Sequence, residues 1–147
     1  MATTATIESV TRGAIGALLA ATGIAWHRVG EKLADGTDWS AGRVAIEVEV
    51  AGSSLDAGQL PAGYPRLRVS ATCQTYSDDD NDRAALDALI GSARTILEST
   101  TIPADLTAQA SGAYFYTMEL GPTFQEDDGR LNGHTLTYDL IARNSDT

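Results

Sequence analysis

"RVAIEVEV", residues 43–50, decides how the rest of the chain is read. Extended, it projects Val44, Ile46, Val48 and Val50 to one side and Ala45, Glu47 and Glu49 to the other, because successive side chains of a strand alternate between faces. One dry face and one wet face are the pattern of an antiparallel sheet covered on a single side. The run at 66–76 repeats it, with Leu67, Val69, Ala71 and Cys73 inward and Arg68, Ser70, Thr72 and Gln74 outward. Near the end, "LTAQASGAYFYTMELG" (106–121) and "HTLTYDLIAR" (134–143) are joined through "EDDGRLNG". Asp128-Gly129 and Asn132-Gly133 are turn signals there, so these two segments are expected to pair as antiparallel strands.

Working outward, "IAWHRV" (24–29) reads as a short strand, and 30–42 as a polar connection. Residues 3–22 carry Ile7, Val10, Ala14, Ile15, Leu18 and Leu19 at steps of three and four, which marks one face of a helix. Gly13 and Gly16 weaken that helix by roughly 1 kcal/mol each relative to alanine, and Gly23 is a natural stop. A second helix begins in "TYSDDDNDRAALDALI" (75–90) and presents Leu86, Leu89, Ile90, Ala93, Ile96 and Leu97 as a continuous apolar stripe. Pro103 closes the connection after it. Between the two central strands, residues 51–65 are rich in alanine, glycine, serine and proline and read as a long flexible loop. The expectation is one α+β domain over 1–147: two layers, with both helices on one face of a mostly antiparallel sheet.

Composition narrows the function. Twenty acidic against ten basic residues give a net charge of −10, which disfavours a nucleic acid or an anionic membrane as the main partner. Nine of the ten basic residues are arginine. Cys73 is the only cysteine, so neither an internal disulfide nor a cysteine zinc site is available. The uncharged stretch 13–26 is too short to span a bilayer, and nothing basic precedes it as in a signal peptide. A soluble product made in the cytoplasm is expected.

Each chemical candidate has a plainer reading beside it. The four aspartates of 78–82 suggest a calcium loop on Asp78, Asp80 and Asp82, but the positions that need glycine and glutamate hold Arg83 and Leu89. An aspartate capping the helix, with its neighbours favoured by the helix dipole, explains the cluster directly. "QEDDGR" (125–130) with His134 could supply oxygen and nitrogen ligands to a metal; a solvated turn explains it equally. No G-x-S-x-G elbow is present, and a thiolate pair of Cys73 with His27 or His134 would need the fold to bring them together. No catalytic residue, metal or cofactor is expected. "AYFYTMEL" (113–120) places three of the nine aromatic residues on one strand, a composition enriched at interfaces.

Taken together, the 3–22 helix, "RVAIEVEV", the loop 51–65, "RAALDALIGSARTILES" and "RLNGHTLTYDLIAR" resemble the tail terminator, or tail-completion, proteins of long-tailed bacteriophages across nearly the whole chain. The resemblance implies a non-enzymatic virion protein of the tail neck. It would form a closed ring, usually a hexamer, that caps the tail tube and joins it to the head-tail connector or head-closure protein. Implied partner contacts are Leu55, Gln59, Leu60 and Tyr64 in the loop, with Tyr114 and Tyr116. Implied lumen residues are Glu47 and Glu49, whose charge lets DNA pass without sticking. Two alternatives stand beside it: a neighbouring head-closure or tail tube component, and a small α+β metal-dependent enzyme or ligand-binding module using the acids at 126–134.

Overall fold

The computed structural model describes residues 7–33, 41–53, 65–76, 78, 80, 83–110, 113–127 and 130–144. The elements are α1 (Ile7–Ala21), β1 (Trp26–Arg28), β2 (Arg43–Ser53), β3 (Pro65–Tyr76), α2 (Ala84–Leu97), α3 (Ile102–Gln109), β4 (Ala113–Gln125) and β5 (Leu131–Asn144). The strands form one five-stranded sheet in the order β1-β2-β3-β5-β4. β1 runs parallel to β2, and the other three pairs are antiparallel. The expected α+β class with a mostly antiparallel sheet is therefore present, with three helices rather than two.

Alternation builds the core. Val44, Ile46 and Val48 of β2 lie beside Leu67, Val69, Ala71 and Cys73 of β3 and Leu136, Tyr138 and Leu140 of β5. All are essentially inaccessible to solvent and share one cluster with Ile15 and Leu19 of α1, Leu86, Ala93 and Leu97 of α2, and Ile102 and Leu106 of α3. The three helices thus cover one face, and the odd-numbered positions of β2 with their cross-strand partners form a helix-free face. Alternation fails at two points. Val50, expected inward, is 48% exposed beside a bulge in the β2–β3 pairing. Ala45, expected outward, is buried.

Three further corrections have clear physical causes. Pro103 opens α3 instead of closing a connection: it sits in the first turn, where its missing N–H and fixed φ cost nothing. The strand read from 106 therefore begins at Ala113. It continues past Gly121 and Pro122 because a bulge between Leu120 and Thr123 absorbs the proline at an edge strand. Asn132-Gly133 is not a turn but lies inside β5, in register with Thr75 and Gln74. Gly133 is required there because a Cβ would stand 2.2 Å from the Glu126 carbonyl oxygen.

Gly16 of α1 has a similar role. A Cβ at this position would fall 2.0 Å from Cε2 of Trp26, so the missing side chain is what allows the indole to pack on the helix. Gly13 has open space around it. Gly13→Ala is expected to raise the unfolding free energy by about 1 kcal/mol through helix propensity. Gly16→Ala is expected to lower it by about 1–3 kcal/mol, because overpacking outweighs the same propensity gain. Urea unfolding of the two variants beside the parent checks both signs.

Candidate functional site

The acidic segments form a structural junction. Asp80 is only 4% exposed. Its Oδ1 accepts from the Ala85 amide at 2.8 Å, and its Oδ2 from the Leu86 amide at 2.9 Å and the Thr75 hydroxyl at 2.8 Å. Its carbonyl accepts from Asn132 Nδ2 at 2.9 Å. One residue thereby joins the end of β3, the start of α2 and the start of β5. The capping role expected of the cluster is present, but it acts from a distance: Arg83 occupies the cap position itself, in the left-handed region at φ 63°. Burial alone would push the Asp80 carboxyl up; the Thr75 hydroxyl, the two amides and Arg83 hold it below the usual carboxylate range.

The proposed metal ligands at 126–134 are also committed. Arg83 Nη1 and Nη2 donate to Asp127 Oδ1 at 3.1 and 2.5 Å, and Nη2 donates to Oδ2 as well. This bond, with smaller help from Gln125 and the Gly133 amide, lowers the Asp127 pKa. Glu126 accepts from the Thr135 hydroxyl at 2.7 Å, and its amide donates to the Gly133 carbonyl. Among the described residues no group of three His, Cys, Asp or Glu side chains is arranged to hold an ion. The register does place His134 opposite Cys73. Burial pushes that thiol up to about 12, so it stays protonated at neutral pH and is no nucleophile.

The other distinctive region is the helix-free sheet face. Glu49, Arg68, Asp139 and Glu119 stand in one row across β2, β3, β5 and β4, with Arg68 Nε 3.8 Å from Asp139 Oδ1. The next row holds Glu47, Ser70 and Thr137, and the one beyond it Ala45, Thr72, Thr135 and Phe124. Toward the start of β3 lie Arg66, in register with Ile141, and the pair Tyr114 and Arg143. Arg143 stacks 4.8 Å over the Tyr114 ring and donates from Nε to the Tyr116 hydroxyl at 2.5 Å.

At its second bulge β4 turns onto this face. The Thr137 hydroxyl donates to the Pro122 carbonyl, and Gly121 lies so close to Thr137 that a Cβ would be 2.9 Å from its Oγ1. The bend leaves a groove of about 320 Å³ between Pro122 and Phe124 on one side and Arg68, Ser70 and Asp139 on the other. Tyr114 and Phe124, at opposite ends of the face, are 43% and 45% exposed.

Of the residues expected to contact partners, Tyr114 and Tyr116 lie in this region, Tyr114 on the face itself; Leu55, Gln59, Leu60 and Tyr64 lie outside the described residues. Glu47 and Glu49 are on the helix-free side, but they differ. Arg12 of α1 approaches Glu47 at 3.7 Å and Arg28 at 4.0 Å, whereas Glu49 is exposed. Sequence reasoning missed the grouping of Arg66, Arg68 and Arg143, although alternation had already turned Arg68 outward. No helix among the described residues is long and apolar enough to cross a membrane. Compared with known proteins, the chain matches no protein-family model and no curated sequence.

Replacing Asp80 isolates the junction. Its carboxyl is held below its unfolded value, so its stabilisation is complete above about pH 4 and is lost as pH falls through the lower folded value. Asp80→Ala is expected to cost about 1–3 kcal/mol at neutral pH, the usual cost of orphaning buried donors. It should also flatten the acid limb of the stability curve. Chemical denaturation at a series of pH values between neutrality and about pH 3 tests both effects.

Proposed function

We propose that this chain is a self-associating neck protein of the tail-terminator kind, which closes into a ring at the end of a phage tail tube. One observation carries the reading: all three helices pack on one side of the sheet, and the opposite face, bordered by exposed aromatic residues, is left without a covering layer. A layered domain completes itself by covering its faces. A subunit that leaves one bare supports a role in which a neighbour supplies the cover. The element order supports it too. A helix precedes the sheet, the central pair β2–β3 is interrupted by the long segment 54–64, α2 follows, and a β4–β5 pair ends the described chain. These are the features the resemblance implies.

In this role the ring would cap the tail tube on one side and meet the head-tail connector or head-closure protein on the other. DNA would pass through its hole. Glu49 on the β2 margin of the open face would supply lumen charge; Glu47, offset by Arg12 and Arg28, would supply less. Carboxylates facing a DNA path repel phosphates over roughly a Debye length, about 8–10 Å in physiological salt.

Native mass spectrometry and negative-stain images of the purified protein are expected to reveal a closed ring, six copies being the expected number. A protein that stays monomeric both alone and mixed with tail tubes would sink the reading. Within a virion carrying the change, replacing Glu47 and Glu49 together with lysine is expected to slow DNA ejection, with most of the effect reproduced by Glu49→Lys alone.

A further inference from the structure

From the charges and shape of the helix-free face we infer where subunits meet: the β3–β5–β4 portion of this face, around the groove beside Arg68, seats on an acidic surface of a second copy of the chain. The inference rests on the self-association argued above and specifies its contact.

Two routes of association are open to a sheet of this kind, pairing along an edge and burial of a face. The β4 edge is obstructed. The amide of Phe115 donates to Thr107 Oγ1 of α3 at 3.0 Å, and that hydroxyl donates onward to the Pro103 carbonyl at 2.9 Å. Further along, Pro122 has no amide to offer, and bulges interrupt the strand on both sides of Leu120. Such features blunt an edge against pairing. At the opposite margin β1 is only three residues long.

The face has what the edges lack. The chain as a whole carries −10, so two copies repel over most orientations. On the β3, β5 and β4 part of the open face the balance reverses: Arg66, Arg68 and Arg143 stand against Asp139 and Glu119. Arg66 is exposed and has no side-chain partner among the described residues. Arg143 is held in place by Tyr114 and Tyr116, so little of its freedom remains to be lost on binding. A locally basic patch on an acidic protein is complementary to the rest of a second copy and repels the same patch on it. The contact is therefore heterologous, head to tail, and contacts of this kind close into rings when the rotation permits. Glu47 and Glu49, on the β2 margin, stay clear of it and remain available to a lumen.

The test uses Arg66→Glu and Ser70→Glu, one at the basic corner and one in the groove, with thermal melts confirming that both fold. Sedimentation equilibrium is expected to show self-association weakened at least about tenfold by either change. In the parent, association should weaken as salt rises from about 0.1 M to about 1 M, over which the screening length drops from ~10 to ~3 Å. Hydrogen exchange on associated and diluted parent protein supplies an independent arm. Face burial adds no backbone hydrogen bonds, so the outward amides of β4 should exchange alike in both states. New protection along β4 would place the contact at the edge and overturn the inference, as would parent-like association of both variants. Loss of duplex DNA binding in Arg66→Glu without any change in association would assign the patch to nucleic acid instead and overturn it equally. A parent that never associates would remove both this inference and the neck reading on which it rests.

Discussion

The structure depends on a single constraint: the apolar positions of three long strands all fall on one side of the sheet. Each fully buried valine, leucine or isoleucine of that side contributes about 1.5–3 kcal/mol, and the residues that do so alternate strictly along β3 and across its register with β2 and β5. A slip of one residue in either pairing would carry arginine and glutamate into the core and valine into water. The helices follow from this. Their stripes are weak by themselves, α1 containing two glycines and α3 only eight residues, and short helices are marginal in water without a surface to lie on. The sheet provides that surface once, so all three compete for the same side.

Covering one face with three helices makes their entry points critical, and there the acidic residues matter. The chain must leave β3, turn, and start α2 directly over the sheet, with the β4–β5 turn close by. Asp80 resolves the crowding by serving as acceptor for two helix amides and a threonine, while Asn132 ties its carbonyl to β5. Arg83 takes the strained left-handed position and reaches Asp127 across the gap. A carboxylate is the right group for such a site because it accepts several bonds at once, and bonds to an ionised acceptor are roughly twice as strong as neutral ones. Cation binding would require breaking these contacts first.

What could be read from the sequence divides along the same line. Periodicity gave the sheet faces, α1, α2 and the one-sided architecture, because burial is a property of side-chain type and spacing. Elements governed by close approach were hidden. Gly16 looked like a helix defect until Trp26 was placed against it, and Asn132-Gly133 had the composition of a turn yet needed its glycine to clear Glu126. Pro103 was ambiguous between stopping a connection and opening a helix, and only the buried Ile102 and Leu106 decide it. At the candidate site, alternation pointed Arg68, Glu47 and Glu49 outward correctly. It could not show that Arg12, forty residues upstream in effect on another element, would offset Glu47, nor that Arg66, Arg68 and Arg143 would converge from two strands.

That convergence bears on how so acidic a protein could associate at all. Long-range repulsion between copies depends on net charge, whereas the contact itself depends on the few groups within a screening length. An acidic surface broken by one arginine-bearing sheet face satisfies both demands: copies stay apart in most orientations and attract in one. Arginine suits the task better than lysine, since its planar group stacks on tyrosine, as Arg143 does on Tyr114, while keeping donors free for a carboxylate. The same arrangement explains why the open face need not be strongly apolar. Its rows of serine, threonine and paired charges keep a lone subunit soluble, and the exposed Tyr114 and Phe124 at its ends offer apolar area only to a partner already oriented by charge.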